Sequence, residues 1–150
     1  MSFHPTGGRT AATAASANQA VASLWNPHGT ARVYLTFLEL CTTGVVAQSF
    51  TLQRISARGT ASTTVTPNAD NAYDRDVANV AGMLLDVAYS VQPTLIAAVL
   101  WRWNIPNVAG SGFMKQFPGR GISIPPGTGL CLVGVTASVP IADVNVLFED

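Results

Sequence analysis

Between residues 117 and 150 the chain reads FPGRGISIPPGTGLCLVGVTASVPIADVNVLFED, and no long helix can be threaded through it. Pro and Gly recur every few residues, and each removes or redirects backbone pairing. Three short runs of β-strand chemistry remain between them, at residues 121–124, 130–137 and 144–148. In the last run Val144, Val146 and Phe148 point one way while Asn145, Leu147 and Glu149 point the other, the period-two pattern of a strand with one buried face. The PPGTG segment, residues 125–129, cannot lie inside a ladder and reads as a tight corner joining two strands.

Upstream, residues 1–24 are mostly Ala, Thr, Ser and Gly. They read as an N-terminal arm, flexible or ordered on a neighbouring subunit, ahead of a β-sandwich domain at residues 25–150. Trp25-Asn26-Pro27-His28-Gly29 marks the entrance to that body. The run 32–40 (RVYLTFLEL) is a strand with Val33, Leu35 and Phe37 on one face and Tyr34, Thr36, Leu38 and Leu40 on the other. Thr42-Thr43-Gly44 then predicts a hairpin turn into a strand over 45–56, where Val46, Phe50 and Leu52 alternate with polar neighbours. TASTTVT, residues 60–66, is a Thr-rich, half-exposed strand. Residues 77–91 fit a helical stripe and a strand equally well. Residues 94–105 (TLIAAVLWRWNI) read as a strand with Leu95, Ala97, Val99, Trp101 and Trp103 on one face, and residues 107–121 as a glycine-rich loop. About eight short strands without βαβ alternation predict an all-β fold, an antiparallel β-sandwich or jelly roll.

Chemistry is sparse. The polar loop 67–76 offers Asn68, Asp70, Asp74 and Asp76 as oxygen ligands, but without the spacing of a calcium loop it reads as a solvated Asx-rich segment. Cys41 and Cys131 lack any metal signature and read as small apolar side chains, with a disulfide or reactive thiol as the other reading. Residues 107–121 lack the GK[ST] of a phosphate loop, and His4 and His28 have no evident catalytic partner. The expectation is a non-enzymatic protein with no cofactor or metal site. Eight basic and eight acidic residues give zero net charge, which argues against nucleic acid or an anionic membrane as partner. No apolar run is long enough for a membrane-spanning helix, and the N-terminus lacks a signal pattern, so synthesis and retention in the cytosol until assembly is expected. With 48% hydrophobic and only 11% charged residues, a chain this short has difficulty keeping a monomer's surface free of apolar patches. Burial in an oligomer or a larger assembly relieves that difficulty.

WNP before the first strand, the RISARGTASTTVTP segment, and the closing IPPGTGLCLVG and ADVNVLFED together resemble small β-sandwich virion proteins of tailed bacteriophages, especially capsid decoration (cement) proteins. The resemblance implies a jelly-roll-like domain, commonly a homotrimer, that sits on the outer capsid surface and braces the major capsid protein; it supplies no site residues. The residues themselves nominate Tyr34, Phe37, Trp101 and Trp103 for self-association. Phe3 and Arg9 on the arm, with Arg54, Arg58 and Arg120, are candidates for contact with acidic capsid surface. A receptor- or glycan-binding module of a phage tail or head fibre, using Trp101, Tyr73 and Tyr89, is the other reading.

Two outcomes are expected from this reading. Deleting residues 1–24 should weaken capsid binding and leave the body folded. Val146→Asp should unfold or dissociate the protein, because an unpaired buried charge costs about 3–5 kcal/mol; a soluble variant with native circular dichroism and mass would mean that the final strand's buried face is misplaced.

Overall fold

Period-two patterning is realised throughout, in two antiparallel sheets packed face to face. The computed structural model describes residues 2–11, 17–45, 47–67, 82–136 and 139–150. Among these are eleven strands: β1 (Phe3–Arg9), β2 (Gln19–Asn26), β3 (Val33–Thr42), β4 (Gln48–Ala57), β5 (Thr60–Val65), β6 (Leu84–Val91), β7 (Thr94–Ile105), β8 (Gly112–Gln116), β9 (Ile122–Ile124), β10 (Thr128–Gly134) and β11 (Ala142–Glu149). One sheet runs β1-β11-β3, with β8 and β9 sharing the position beyond β3; the other runs β5-β6-β2-β10-β4-β7. The fold is a β-sandwich, as the patterning predicts, with more strands than the eight expected. The ambiguous stretch resolves as the strand β6 over its described part, whereas residues 77–81 and the Asx-rich positions 68–76 lie outside the described residues.

The arm expected at residues 1–24 is the largest correction. Phe3–Arg9 pairs along its whole length with β11, from Phe3 opposite Glu149 to Arg9 opposite Asp143. Gln19–Asn26 lies inside the other sheet between β6 and β10. Small side chains concealed this, because they read as weakly ordered sequence. In the sheet the same small residues let β2 be covered on both faces: Val21, Ala22 and Leu24 face the main core, while Ala20 packs with Ile55, Cys131 and Val133 in a second cluster on the other side. Trp25, Tyr89 and Leu95 close over that second cluster, and the Tyr89 hydroxyl donates to Ser23 Oγ at 2.8 Å. β10 is thereby buried on both faces, Leu130 and Leu132 inward and Cys131 and Val133 outward.

Other corrections follow from local irregularities. β3 and β4 belong to opposite sheets, so Thr42-Thr43-Gly44 crosses the sandwich instead of making a hairpin; Val46 lies outside the described residues. In β3 the inward set is Val33, Leu35, Leu38 and Leu40, because the register against β11 shifts between Phe148–Leu35 and Leu147–Phe37. Thr36 occupies the bulge and donates its hydroxyl to Leu147 O at 3.0 Å, and Phe37 is turned outward. Three register shifts against β4 break the single face expected of β7: Leu95 joins the second cluster, whereas Trp103 packs on the main core. The predicted loop 107–121 contains β8. Gly112 reads as a loop residue, yet a Cβ there would fall 1.9 Å from Leu40 O, so glycine permits the close approach of β8 to β3. By contrast, Val144, Val146 and Phe148 are buried, as their alternation predicts; residues 125–127 turn the chain from β9 in one sheet to β10 in the other, whereas Thr128 and Gly129 of the expected corner already pair with β2 as the start of β10.

These pairings reverse the expectation for truncation. Removing residues 1–24 takes away β1 and most of β2, and should abolish cooperative thermal unfolding; a truncated protein with a native-like melting transition would contradict the placement of β2.

Candidate functional site

The bulge at Thr36 decides what the outer face of the β1-β11-β3 sheet presents. With Phe37 turned out, an open groove of about 930 Å³ is lined by Phe3, Pro5, Phe37 and Leu147, with Gln116 and Asn145 among its polar groups. Gly7 lets the Asn145 side chain lie across β1: a Cβ at residue 7 would stand 2.2 Å from Asn145 Oδ1. The Asn145 amide is held by donating to Glu39 Oε2 at 2.9 Å. At the lip, Arg120 donates to Glu149 Oε1 at 2.8 Å and stacks 4.2 Å above the Tyr34 ring. The carboxylate of Glu149 is nearly buried while Arg120 is exposed, and their hydrogen bond raises the Arg120 pKa. Phe3 is 37% exposed at the groove's end. Of the residues nominated from sequence for two separate roles, Phe3 and Phe37 line this groove, and Tyr34 and Arg120 stand together beside it at Glu149.

The nominated tryptophans lie elsewhere, where β7 of one sheet approaches β8 of the other. Trp103 stacks on Phe113 with centroids 4.2 Å apart and planes 6° from parallel, closing the side of the sandwich. Its role is largely internal. Trp101 remains 43% exposed, with Lys115 Nζ 4.1 Å from its ring centroid. Ile96, Val108 and Met114 are exposed on the same two strands and their link. β7 is the last strand of its sheet, so one side of its twelve-residue backbone is unpaired among the described residues. Phe113 and Lys115 were missed in the sequence because Gly110, Gly112, Gly119 and Gly121 around them mask a short alternating run.

The nominated arginines divide by partner. Arg9 forms a bidentate pair with Asp143 at 2.7 and 3.0 Å; Arg9 holds that carboxylate below its ordinary range, chiefly through the hydrogen bond, in an exposed setting. Arg58 grips Asp86 with two bonds of 2.7 Å, and Thr64 adds a third to the same carboxylate. Asp86 is fully buried, so this pair is an internal clamp between the β4–β5 link and β6. Arg54 donates to Ser123 O at 2.7 Å. Arg32, passed over in the sequence, donates to Ser123 Oγ at 2.7 Å.

Tyr89 and Cys131 are both shielded in the second cluster; burial pushes the phenol and the thiol far above their ordinary pKa values. Both cysteines are free, Cys131 buried and Cys41 half-buried with its Sγ donating to Gly110 O at 3.3 Å. Among the described residues no cluster of three or more His, Cys, Asp or Glu side chains could hold a metal ion. No protein-family model matches the chain, and no curated protein matches it.

The two ion pairs should respond differently to mutation. Arg58→Ala leaves the buried Asp86 carboxylate without its cation and should lower stability by about 3 kcal/mol in chemical denaturation. Arg9→Ala should leave the denaturation midpoint essentially unchanged, since an exposed pair contributes little; equal effects would refute the distinction drawn from burial.

Proposed function

We propose that this chain is a non-enzymatic structural protein that works by packing against other subunits, as a decoration protein on the outer surface of a phage capsid. The observation that carries the proposal is the open edge strand β7 with its apolar surroundings. Natural sheets guard such edges with Pro, Lys, bulges or a covering segment. β1, at one edge of the opposite sheet, carries Pro5. At the other edge β8 and β9 are separate short strands, with Lys115 on β8. β7 has bulges against β4 but neither Pro nor Lys, and Arg102 is its only charged residue. With Ile96, Trp101, Val108 and Met114 exposed beside it, this side of the sandwich is best satisfied by a neighbouring protein surface.

A protein of this kind braces a shell by mass action. Binding only to the assembled lattice, it adds its binding free energy to assembly, and repetition over many sites multiplies the effect. In this reading the β7 side serves self-association, in a homo-oligomer such as the trimer implied by the sequence resemblance. The groove with Phe3, Phe37 and Arg120 faces the major capsid protein. The glycan-binding alternative is less well supported: the Tyr89 hydroxyl is occupied by Ser23, its ring is packed in the second cluster, and one face of Trp101 lies under Lys115. Tyr73 lies outside the described residues.

The test is the copy number of this chain in purified virus particles, by quantitative mass spectrometry against the major capsid protein. Decoration of a lattice requires a number equal to the capsid subunits or a simple fraction of it. A few to a few tens of copies would place the protein at a tail or vertex, and its absence from particles would overturn the virion assignment.

A further inference from the structure

Every charged side chain in a neutral protein has a choice of partners, and two arginines here have forgone acidic ones. Arg32, at the entrance to β3, and Arg54, on β4 of the opposite sheet, converge on one residue of β9. Arg32 Nη1 donates to Ser123 Oγ and Arg54 Nη1 to Ser123 O, each at 2.7 Å. Neither forms an ion pair among the described residues, whereas Arg9, Arg58 and Arg120 each hold a carboxylate. Composition does not impose this, since acids and bases are equal in number. Two guanidinium groups thus share one serine with no carboxylate between them among the described residues, an arrangement that an added anion would stabilise.

The backbone beneath them is fixed. Asn26 is fully buried, and its amide donates to Ala31 O at 2.9 Å and to Ile124 O at 3.1 Å, the residues adjoining Arg32 and Ser123. Ser123 also stands opposite Tyr34 in the β3–β9 ladder, and Arg120, already paired with Glu149, lies over that ring. Each guanidinium carries five N–H donors in a rigid fork, of which the contact to Ser123 engages only part. The remaining donors suit a planar, bidentate oxyanion.

We propose that Arg32 and Arg54, seated on Ser123, form an oxyanion-binding site whose ligand is a carboxylate presented by an acidic segment of a protein partner. The identity of the partner as a shell subunit rests on the function proposed above; the site itself is a property of the isolated chain. Unlike Arg9, Arg58 and Arg120, each of which holds a carboxylate, Arg32 and Arg54 keep donors that can engage another surface.

The experiment uses the full-length, isotope-labelled chain at low ionic strength, titrated in parallel with a glutamate-rich peptide and with inorganic phosphate. The peptide should shift the amide resonances of Arg32, Arg54 and Ser123, and its affinity should fall as salt is added. Arg32→Gln and Arg54→Gln retain a hydrogen-bond donor for Ser123 and should each weaken the peptide by about tenfold or more, with unchanged melting temperature. Peptide affinity unaltered in the double variant, or shifts confined to other residues, would overturn the site. Phosphate binding tighter than the peptide would overturn the assignment to a protein carboxylate. Loss of the site alongside a lattice-level copy number would leave the decoration reading intact. A functioning site on a chain absent from capsids would instead remove the shell subunit as partner.

Discussion

The double burial of the β2–β10 pair is the constraint on which the rest of the architecture depends. A strand buried on one face needs one covering layer; this pair needs two. The β1-β11-β3 sheet supplies the first by packing over Leu24, Leu130 and Leu132. The second comes from the same sheet as the pair itself: Tyr89 and Leu95, on either side of the β6–β7 link, close over Ala20, Cys131 and Val133. The buried Asp86 and its Arg58 clamp secure β6 to the β4–β5 link beside this cover. Small side chains at Ala20, Ala22 and Ser23 are what allow a central strand to be enclosed from both sides.

The two sides of the sandwich have correspondingly different surfaces. Burial of the central pair leaves β7 at the edge, with its aromatics shared between the core and β8. Across the molecule, the bulge at Thr36 brings Phe37 into an open groove beside Phe3. Most of the acidic groups described hold the fold together, clamping Arg9, Arg58 and Arg120 or pairing with His4. Arg32 and Arg54, two of the described cations that hold no carboxylate, are gathered at the corner where the chain passes between the sheets.

The legibility of this protein in its sequence follows the range of the forces involved. β11 was readable because a regular strand with one buried face writes its environment into alternate residues. The fold class was readable because Gly and Pro at short intervals exclude other architectures. β2 was not, since enclosure on both faces by close neighbours selects small residues, which resemble those of a disordered arm. The orientation of Phe37 depends on a register shift against a strand more than a hundred residues away, which no local period records. The partners of the arginines were hidden for the same reason: Arg58 and Asp86 are 28 positions apart and meet only through the pairing of β5 with β6. The candidate surfaces were thus half visible, their residue types evident and their grouping not.

The clasp between β1 and β11 bears on how the protein is made. β11 lies between β1 and β3, so neither can complete its sheet until β11 emerges from the ribosome. Closure is consequently a late, long-range event, of the kind that makes β-rich chains slow to fold. During synthesis β1 is made well over a hundred residues before the strand that pairs with it.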